Sequence, residues 1–160
     1  MPDTEFVFFY GSLITGQPGR QELPGIETMI SLISQASVAG TLFDLGDYPG
    51  LILGDQGLVF GEVYRIHRES AQQLLDRLDI FERFDPTNYS ESLFIRQMVR
   101  LMEPNIDAWL YTYNQDTYGH PIVASGKWQT YSQSVTTTTV DDISEARLTL
   151  PVPESRTKIS

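Results

Sequence analysis

The chain has 160 residues, a formal net charge of −10 and no cysteine, and 41% of its residues are hydrophobic. These values fit one folded domain with its own core, and the negative charge argues against nucleic acid or an anionic membrane as a partner. The absence of cysteine excludes disulfides, thiol catalysis and thiolate metal sites. With no signal-peptide pattern and no apolar run of membrane-spanning length, the sequence predicts a cytoplasmic protein without membrane association.

The first predicted element is a buried strand at residues 5–10, which is short and aromatic and is ended by a glycine. A segment with near-helical spacing of apolar residues follows at 20–34, and a second strand is predicted at 36–43. The stretch DLGDYPGLIL is rich in turn residues. Residues 57–66 then alternate well enough to predict another strand.

The clearest helix is predicted at residues 69–80, where four apolar residues fall on one face. We expect the helical region to stop before Pro86, because the residue before a proline disfavours helical geometry. Strands at 93–102 and 107–113 are joined by EPNI, a plausible hairpin turn. About five strands and one or two helices predict an α+β fold, a small mixed β-barrel with flanking helices.

The composition changes near residue 131, where the chain becomes polar, rich in threonine and poor in large apolar residues. We therefore predict a folded domain at residues 1–130. Residues 131–160 are predicted to be a polar C-terminal extension, partly disordered.

The segment FVFFYGSLITGQPGR carries two glycines, Gly11 and Gly16, at the spacing of a phosphate-binding loop. Such a loop needs Lys and then Ser or Thr after its second glycine, whereas Gln17 and Pro18 follow here, which argues against a nucleotide site. The only histidines, His67 and His120, lack metal-ligand spacing and are interpreted as surface or loop residues. A serine triad stays open but unsupported, because Ser12 lies outside a GxSxG elbow.

Glu82 is the most informative carboxylate, because it lies between Phe81 and Phe84 just after the predicted helix. A carboxyl held against aromatic rings loses solvation, so its pKa should rise toward the range of a general acid/base near neutral pH. Spacing alone favours a simpler interpretation, a solvated residue at a helix end that pairs with Arg83. Glu62 is interpreted as the outward polar residue of a strand.

Six regions of the chain carry a family resemblance. In chain order they are FFYGSL (8–13), GTLFDLGDYPGL (40–51), VFGEVYRI (59–66), LDIFERFDP (78–86) followed by SLFIRQMV (92–99), AWLYTYN (108–114) and IVASGKW (122–128). Each is weak alone, but together they resemble the γ-glutamylcyclotransferase-like (AIG2-like) superfamily over about residues 6–128.

The resemblance implies a compact β-barrel with a cavity at one mouth and Glu82 as the catalytic acid/base. It implies cyclisation of a γ-glutamyl amine or amino acid to 5-oxoproline with release of the amine, with no metal or organic cofactor. The glycine corner is expected to present converging N–H groups to the substrate. The expected substrate-binding residues are Tyr10, Gly11, Ser12, Leu13, Tyr48 and Tyr113.

Three departures from the family pattern bear on the substrate more than on the fold. Arg83 follows Glu82 where glycine is common, Ile14-Thr15 stands where arginine is common, and Lys127 stands where an acid is usual. Arg83 motivates an alternative, a non-catalytic module of the same fold that binds a small carboxylate. A third interpretation is a scaffold whose tail recruits a partner. The leaving amine and the oligomeric state are not predicted.

Overall fold

A computed structural model describes residues 4–132, and the structural statements below concern that part of the chain. The predicted extension lies outside the described residues from residue 133 onward. In chain order the strands and the α-helix are β1 (Glu5–Phe9), β2 (Ile30–Asp44), β3 (Pro49–Ile66), α1 (Ala71–Phe81), β4 (Phe94–Arg100) and β5 (Asp107–Tyr113). Short 3₁₀ turns occur at Pro18–Glu22, Ile26–Thr28, Arg68–Ser70 and Tyr89–Glu91.

The five strands form one mixed sheet in the order β2-β3-β1-β5-β4. Neighbouring strands are antiparallel except β1 and β5, which run parallel and pair Val7 with Trp109. Strands β2 and β4 are therefore the two ends of the ladder. The predicted α+β class is confirmed, with one sheet and the 11-residue helix α1. Residues 128–132, at the end of the described range, are also helical.

Strand β1 explains the continuous aromatic run at the start of the chain. Val7 and Phe9 belong to one buried cluster, which also receives the apolar face of α1, whereas Phe8 and Tyr10 belong to a second cluster. Successive side chains of a strand point to opposite faces, so β1 is buried on both sides and needs apolar residues at consecutive positions.

The predicted strands at 36–43 and 57–66 are confirmed as parts of a longer hairpin formed by β2 and β3. Its pairing shifts between Leu32 and Ser34, and again between Ala39 and Gly40, where residues 54–57 of β3 bulge out of the ladder. The first half of β3, from Pro49, therefore extends past the end of β1. This extension places Pro49 against the residues that follow β1.

The helical interpretation of residues 20–34 is wrong. The chain forms two 3₁₀ turns separated by Gly25, which has a left-handed φ of 86°, and then enters β2 at Ile30. The near-helical spacing does mark buried residues, because Leu23, Ile26 and Met29 all belong to the core cluster that contains the apolar face of α1. The spacing of the apolar residues therefore predicted correctly which residues are buried, but it predicted a helix where the backbone forms 3₁₀ turns and a strand.

Candidate active site

The corner after β1 is closed by two consecutive turns. The Ile14 N–H donates to Gly11 O at 3.1 Å, and the Gln17 N–H donates to Ile14 O at 2.9 Å. Gly11 is required by a close approach, because a Cβ at this position would lie 2.6 Å from Cγ of Pro49. Ser12 and Leu13 donate none of the backbone hydrogen bonds that close these turns.

Glu82 and the corner line the same hollow. Glu82 is 6% exposed, so the interpretation of a solvated residue at a helix end is wrong. The hollow has a volume of about 20 Å³, which is room for about one water molecule. Its lining residues are Phe8, Phe9, Tyr10, Gly11, Ser12, Leu13, Pro49, Glu82 and Tyr111.

Ser12 adds an unsatisfied polar group to this hollow. Its side chain is 3% exposed, and its Oγ has no hydrogen-bond partner among the described residues. A buried hydroxyl without a partner is unfavourable, so a polar ligand group beside it would restore the missing hydrogen bond.

The end of α1 determines where Glu82 lies. The Phe84 N–H donates to Asp79 O at 2.8 Å and the Arg83 N–H donates to Ile80 O at 3.1 Å, which is a Schellman motif with Glu82 as the C-cap. Arg83 occupies the left-handed position of the motif, with φ of 58°, and its side chain is exposed. Glycine is favoured at this position because it has no Cβ.

We expect Arg83→Gly to raise the free energy of unfolding by ~1 kcal/mol, because it removes the strain of a left-handed non-glycine residue. Thermal unfolding would show this as an increase of a few degrees. Arg83→Ala is the matched control, because it removes the same guanidinium but keeps a Cβ at positive φ. Equal stabilities of the two variants would contradict the strain argument.

A partly buried ion pair lies next to the site. Asp79, one helical turn before Glu82, receives hydrogen bonds from Nε of Arg96 at 2.9 Å and from its Nη2 at 3.2 Å. The Tyr111 hydroxyl donates to Oδ1 of Asp79 at 2.6 Å. The Tyr10 hydroxyl donates in turn to the carbonyl of Tyr111 at 2.8 Å. These contacts join α1, β4, β5 and the corner into one polar network.

The phenols of this network should make stability depend on alkaline pH. Burial and the nearby Glu82 raise the pKa of Tyr10 well above its ordinary value, despite the hydrogen bond from the Leu51 N–H. A raised folded-state pKa contributes stability that is complete below about pH 10, the unfolded pKa. That contribution is lost as the pH rises from there through the folded pKa. We therefore expect urea denaturation to show lower stability at pH 11 than at pH 8.

The comparison that isolates Tyr10 is the difference between the two pH values. Tyr10→Phe should lose less stability between pH 8 and pH 11 than the unmodified chain, because the titrating group is gone. Tyr118→Phe, at a residue that is 90% exposed, is the control and should keep the full loss. If Tyr10→Phe kept it too, the buried phenol would not be a source of the pH dependence.

Tyr48 and Tyr113 lie outside the lining of this hollow. Both are partly buried and pack against the ring of Phe94, with ring centroids 6.1 and 5.5 Å away. Burial raises the pKa of Tyr48, and the charge of Glu82 adds a smaller effect in the same direction. The structure therefore does not bring Tyr48 or Tyr113 into the lining of the hollow, and their contacts with substrate stay predictions.

The interpretation of Glu62 as an outward residue is wrong. Glu62 is 9% exposed and accepts hydrogen bonds from the Tyr64 hydroxyl and, at 3.1 Å, from the Thr15 N–H. Burial alone would raise the pKa of Glu62, but these hydrogen bonds outweigh it and lower the pKa. Arg20 completes the contact by donating to Leu13 O at 2.7 Å and to the Tyr64 hydroxyl at 2.8 Å. The cluster therefore ties the corner to β3 through Glu62 and Tyr64.

Sequence reasoning missed Tyr111, Pro49 and Asp79. The i, i+3 spacing of Asp79 and Glu82 was a usable signal, because residues three apart share one face of a helix. Tyr111 and Pro49 lie inside two of the quoted motifs, AWLYTYN and GTLFDLGDYPGL, but nothing in those motifs shows that tertiary packing brings the two residues to the site. Within residues 4–132, no three side chains that could hold a metal ion cluster together. No helix in the same range is long and apolar enough to cross a membrane.

The sequence and the structure of this chain are similar to those of known proteins. The family model described as "Gamma-glutamyl cyclotransferase, AIG2-like" matches residues 7–130. The γ-glutamylcyclotransferase family protein YtfP of Escherichia coli (strain K12) is 30% identical over 123 residues, which are 76% of this chain and 94% of YtfP. The solution structure of E. coli YtfP superposes with a TM-score of 0.54, at 30% identity, and covers 77% of this chain and 95% of its own.

A further relative has a name that states its substrate. The γ-L-glutamyl-butirosin B γ-glutamyl cyclotransferase of Niallia circulans is 35% identical over 115 residues, which are 70% of this chain and 69% of the relative. A structure described as a γ-glutamyl cyclotransferase superposes with a TM-score of 0.52, at 13% identity, and covers 99% of this chain and 94% of its own. The latter supports the fold alone.

Proposed function

This chain belongs to the AIG2-like γ-glutamyl cyclotransferase family, and we propose that it converts a γ-glutamyl amine or amino acid to 5-oxoproline and the free amine. One observation carries the proposal: the buried Glu82 and residues 10–13 line a single hollow. In the proposed site, Glu82 transfers the proton and the main-chain N–H groups of residues 10–13 are the donors.

The proposed chemistry is intramolecular. The α-amine of the substrate is the nucleophile and the γ-amide carbonyl carbon is the electrophile, so the protein need not supply a nucleophile. Holding the glutamyl chain curled replaces a bimolecular encounter, and this positioning can contribute ~7–11 kcal/mol to lowering the barrier. The apolar walls formed by Phe8, Phe9 and Pro49 would favour the curled chain.

Glu82 carries the proton in the proposed mechanism. Its carboxylate accepts a proton from the α-ammonium, and the freed amine attacks the γ-carbonyl carbon to form the ring C–N bond. N–H groups of the corner stabilise the developing oxyanion. Glu82 then gives the proton to the departing nitrogen, and the original amide C–N bond breaks. The ring nitrogen gives up its second proton through Glu82 to the released amine, so 5-oxoproline and the amine in its ammonium form leave.

The size of the hollow sets a requirement on binding. About 20 Å³ holds a water molecule but not a glutamyl group. A bound glutamyl group would therefore extend out of the hollow, or its binding would move the corner away from Pro49. The leaving amine would project toward Tyr48, which lies outside the hollow but within the electrostatic range of Glu82.

The test is a product assay across leaving groups. Purified protein would be incubated with γ-glutamyl amino acids, γ-glutamyl alkylamines and a γ-glutamyl aminoglycoside, and 5-oxoproline would be measured by chromatography. Release from at least one class supports the proposal. Calorimetric binding without product over a long incubation would instead support the non-catalytic carboxylate-binding module. The exposed side chain of Arg83 gives that alternative no support.

A further inference from the structure

Two phenols, Tyr10 and Tyr111, line the hollow together with Glu82, and all three side chains are buried. A phenol beside a carboxylate can donate its proton to that carboxylate and so compete with the substrate's ammonium for it. The availability of Glu82 therefore depends on where the two phenol protons go.

The Tyr10 hydroxyl is committed in both directions. It donates to the carbonyl of Tyr111 at 2.8 Å and accepts from the Leu51 N–H at 3.2 Å. Tyr10 consequently has a structural task, which is to tie the corner to β5 and β3. Its proton is not directed at Glu82.

The Tyr111 hydroxyl acts as a donor toward the protein. Its proton goes to Oδ1 of Asp79 at 2.6 Å, and the lone pairs of its oxygen can still accept a hydrogen bond. Asp79 is fixed by the two hydrogen bonds from Arg96, and the guanidinium of Arg96 stacks 4.6 Å from the ring centre of Trp109. A bidentate, stacked arginine is a geometrically specific partner, so the direction of the Tyr111 proton is well defined.

Building on the proposed function, we propose that Tyr111 is a substrate-binding residue whose hydroxyl oxygen accepts a hydrogen bond from the substrate's α-ammonium. Asp79 and Arg96 are positioning residues that keep the Tyr111 proton turned away from Glu82. The ammonium then meets two acceptors, Glu82 and Tyr111, and gives its transferable proton to Glu82. The pair of acceptors selects substrates with a free α-amine.

The state of the phenol agrees with this role. Burial, and then the hydrogen bond and charge of Asp79, raise the pKa of Tyr111 far above its ordinary value. Tyr111 therefore keeps its proton throughout the neutral range and does not compete as a base. It can act only as a fixed acceptor toward the ligand.

The first experiment measures recognition of the amine. Two non-cleavable inhibitors would be compared, the ketomethylene analogue of an accepted γ-glutamyl substrate and the same compound without its α-amine. The unmodified protein should prefer the amine-bearing inhibitor, and Tyr111→Phe should weaken that inhibitor ~10–100-fold. The inhibition constant of the deamino compound should change less than twofold. Equal weakening of both inhibitors, or of neither, would overturn the assignment of Tyr111.

The second experiment tests the positioning pair. In Asp79→Asn the phenol proton is free to turn to Glu82, so kcat/KM should fall ~10–100-fold. The acidic limb of the pH profile of kcat/KM should move to lower pH in this variant, because a hydrogen bond donated by the Tyr111 hydroxyl favours the ionised form of the Glu82 carboxylate. Adding Tyr111→Phe removes that proton, so the double variant should regain the original limb. Asp107→Asn, which breaks an exposed ion pair to Arg100, is the matched control and should leave the profile unchanged.

The stability of each variant is measured alongside its activity, because Asp79→Asn leaves the partly buried Arg96 without its ion-pair partner. If that variant does not fold, Asp79→Asn with Arg96→Met carries the same test. An unmoved limb in a folded variant would overturn the positioning role. The proposed function fails separately, by an absence of 5-oxoproline from the unmodified protein with every substrate class. The role of Tyr111 is contradicted if the unmodified protein is active but Tyr111→Phe still prefers the amine-bearing inhibitor over the deamino inhibitor as strongly as the unmodified protein does.

Discussion

Replacing Glu82 with glutamine is expected to lower the rate of 5-oxoproline release ~10²–10⁴-fold, because the amide cannot accept the proton of the α-ammonium. The change is nearly isosteric, and the C-cap hydrogen bond from the Glu82 N–H to Leu78 O at 2.8 Å belongs to the main chain. We therefore expect the fold to persist and the loss to appear in kcat. Product release and circular dichroism would be measured on the same preparation.

The matched control is Glu69→Gln, the same substitution at the exposed, opposite end of the helical segment. It should keep the turnover of the unmodified chain. A Glu82→Gln protein that is folded and turns over normally would remove Glu82 from the mechanism. Loss of activity with an altered fold would assign Glu82 a structural role instead.

Gly61→Ala is expected to cost about 3 kcal/mol or more of stability, the upper end of the range for overpacking. A Cβ at Gly61 would overlap the carbonyl oxygen of Phe9 and lie 2.9 Å from Cα of Tyr10. Both are main-chain atoms, so no rotamer change can relieve the contact. The substitution would push β3 away from the end of β1 and displace the corner, so activity should fall with stability.

Gly54→Ala provides the comparison within the same strand. A Cβ at Gly54 meets nothing within 4 Å, and Gly54 lacks a positive φ, so alanine there should be neutral or stabilise slightly. Chemical denaturation of both variants gives the difference directly. Similar midpoints for the two proteins would show that β1 and β3 separate more easily than their packing indicates.

The sequence predicted elements whose pattern arises from local chemistry. Helix α1 was predictable because Leu74, Leu75 and Leu78 repeat at helical spacing and all are buried. The helix stops before Pro86 as predicted, but a Schellman motif after Phe81 ends it, and not the proline. Strand β1 was predictable because a strand that is buried on both faces has a short, continuous run of apolar residues.

Other features depend on pairing that no local pattern reveals. Strand β2 begins at Ile30 because Ile30 pairs with Ile66, which is 36 residues away in the chain. Its bulges disturb the alternation that would have marked a long strand. The residues from Leu23 to Met29 were assigned to a helix because burial at every third position looks helical whatever the backbone does.

The residues of the site also separate into those that a local sequence pattern predicted and those that only the tertiary structure revealed. The glycine corner and Glu82 were identified from family-like motifs, and the structure places both at one hollow. Their catalytic and binding roles remain predictions. The prediction for Glu62 was wrong because alternation along a strand shows which residues share a face of the sheet but not whether that face is exposed. The face of β3 that carries Glu62 is covered, since Glu62 contacts Tyr64 and Thr15 there. Tyr111 came into view only once β5 was placed beside β1.

The parallel pairing of β1 with β5 has a consequence for how the site forms during synthesis. The Tyr10 hydroxyl meets a carbonyl 101 positions further along the chain, so the two strands close a long loop that only a nearly finished domain can order. Such non-local closure is slow relative to helix formation. A nascent chain that has not emerged beyond β5 would lack one wall of the hollow. We therefore expect enzymatic competence to arise late and all at once.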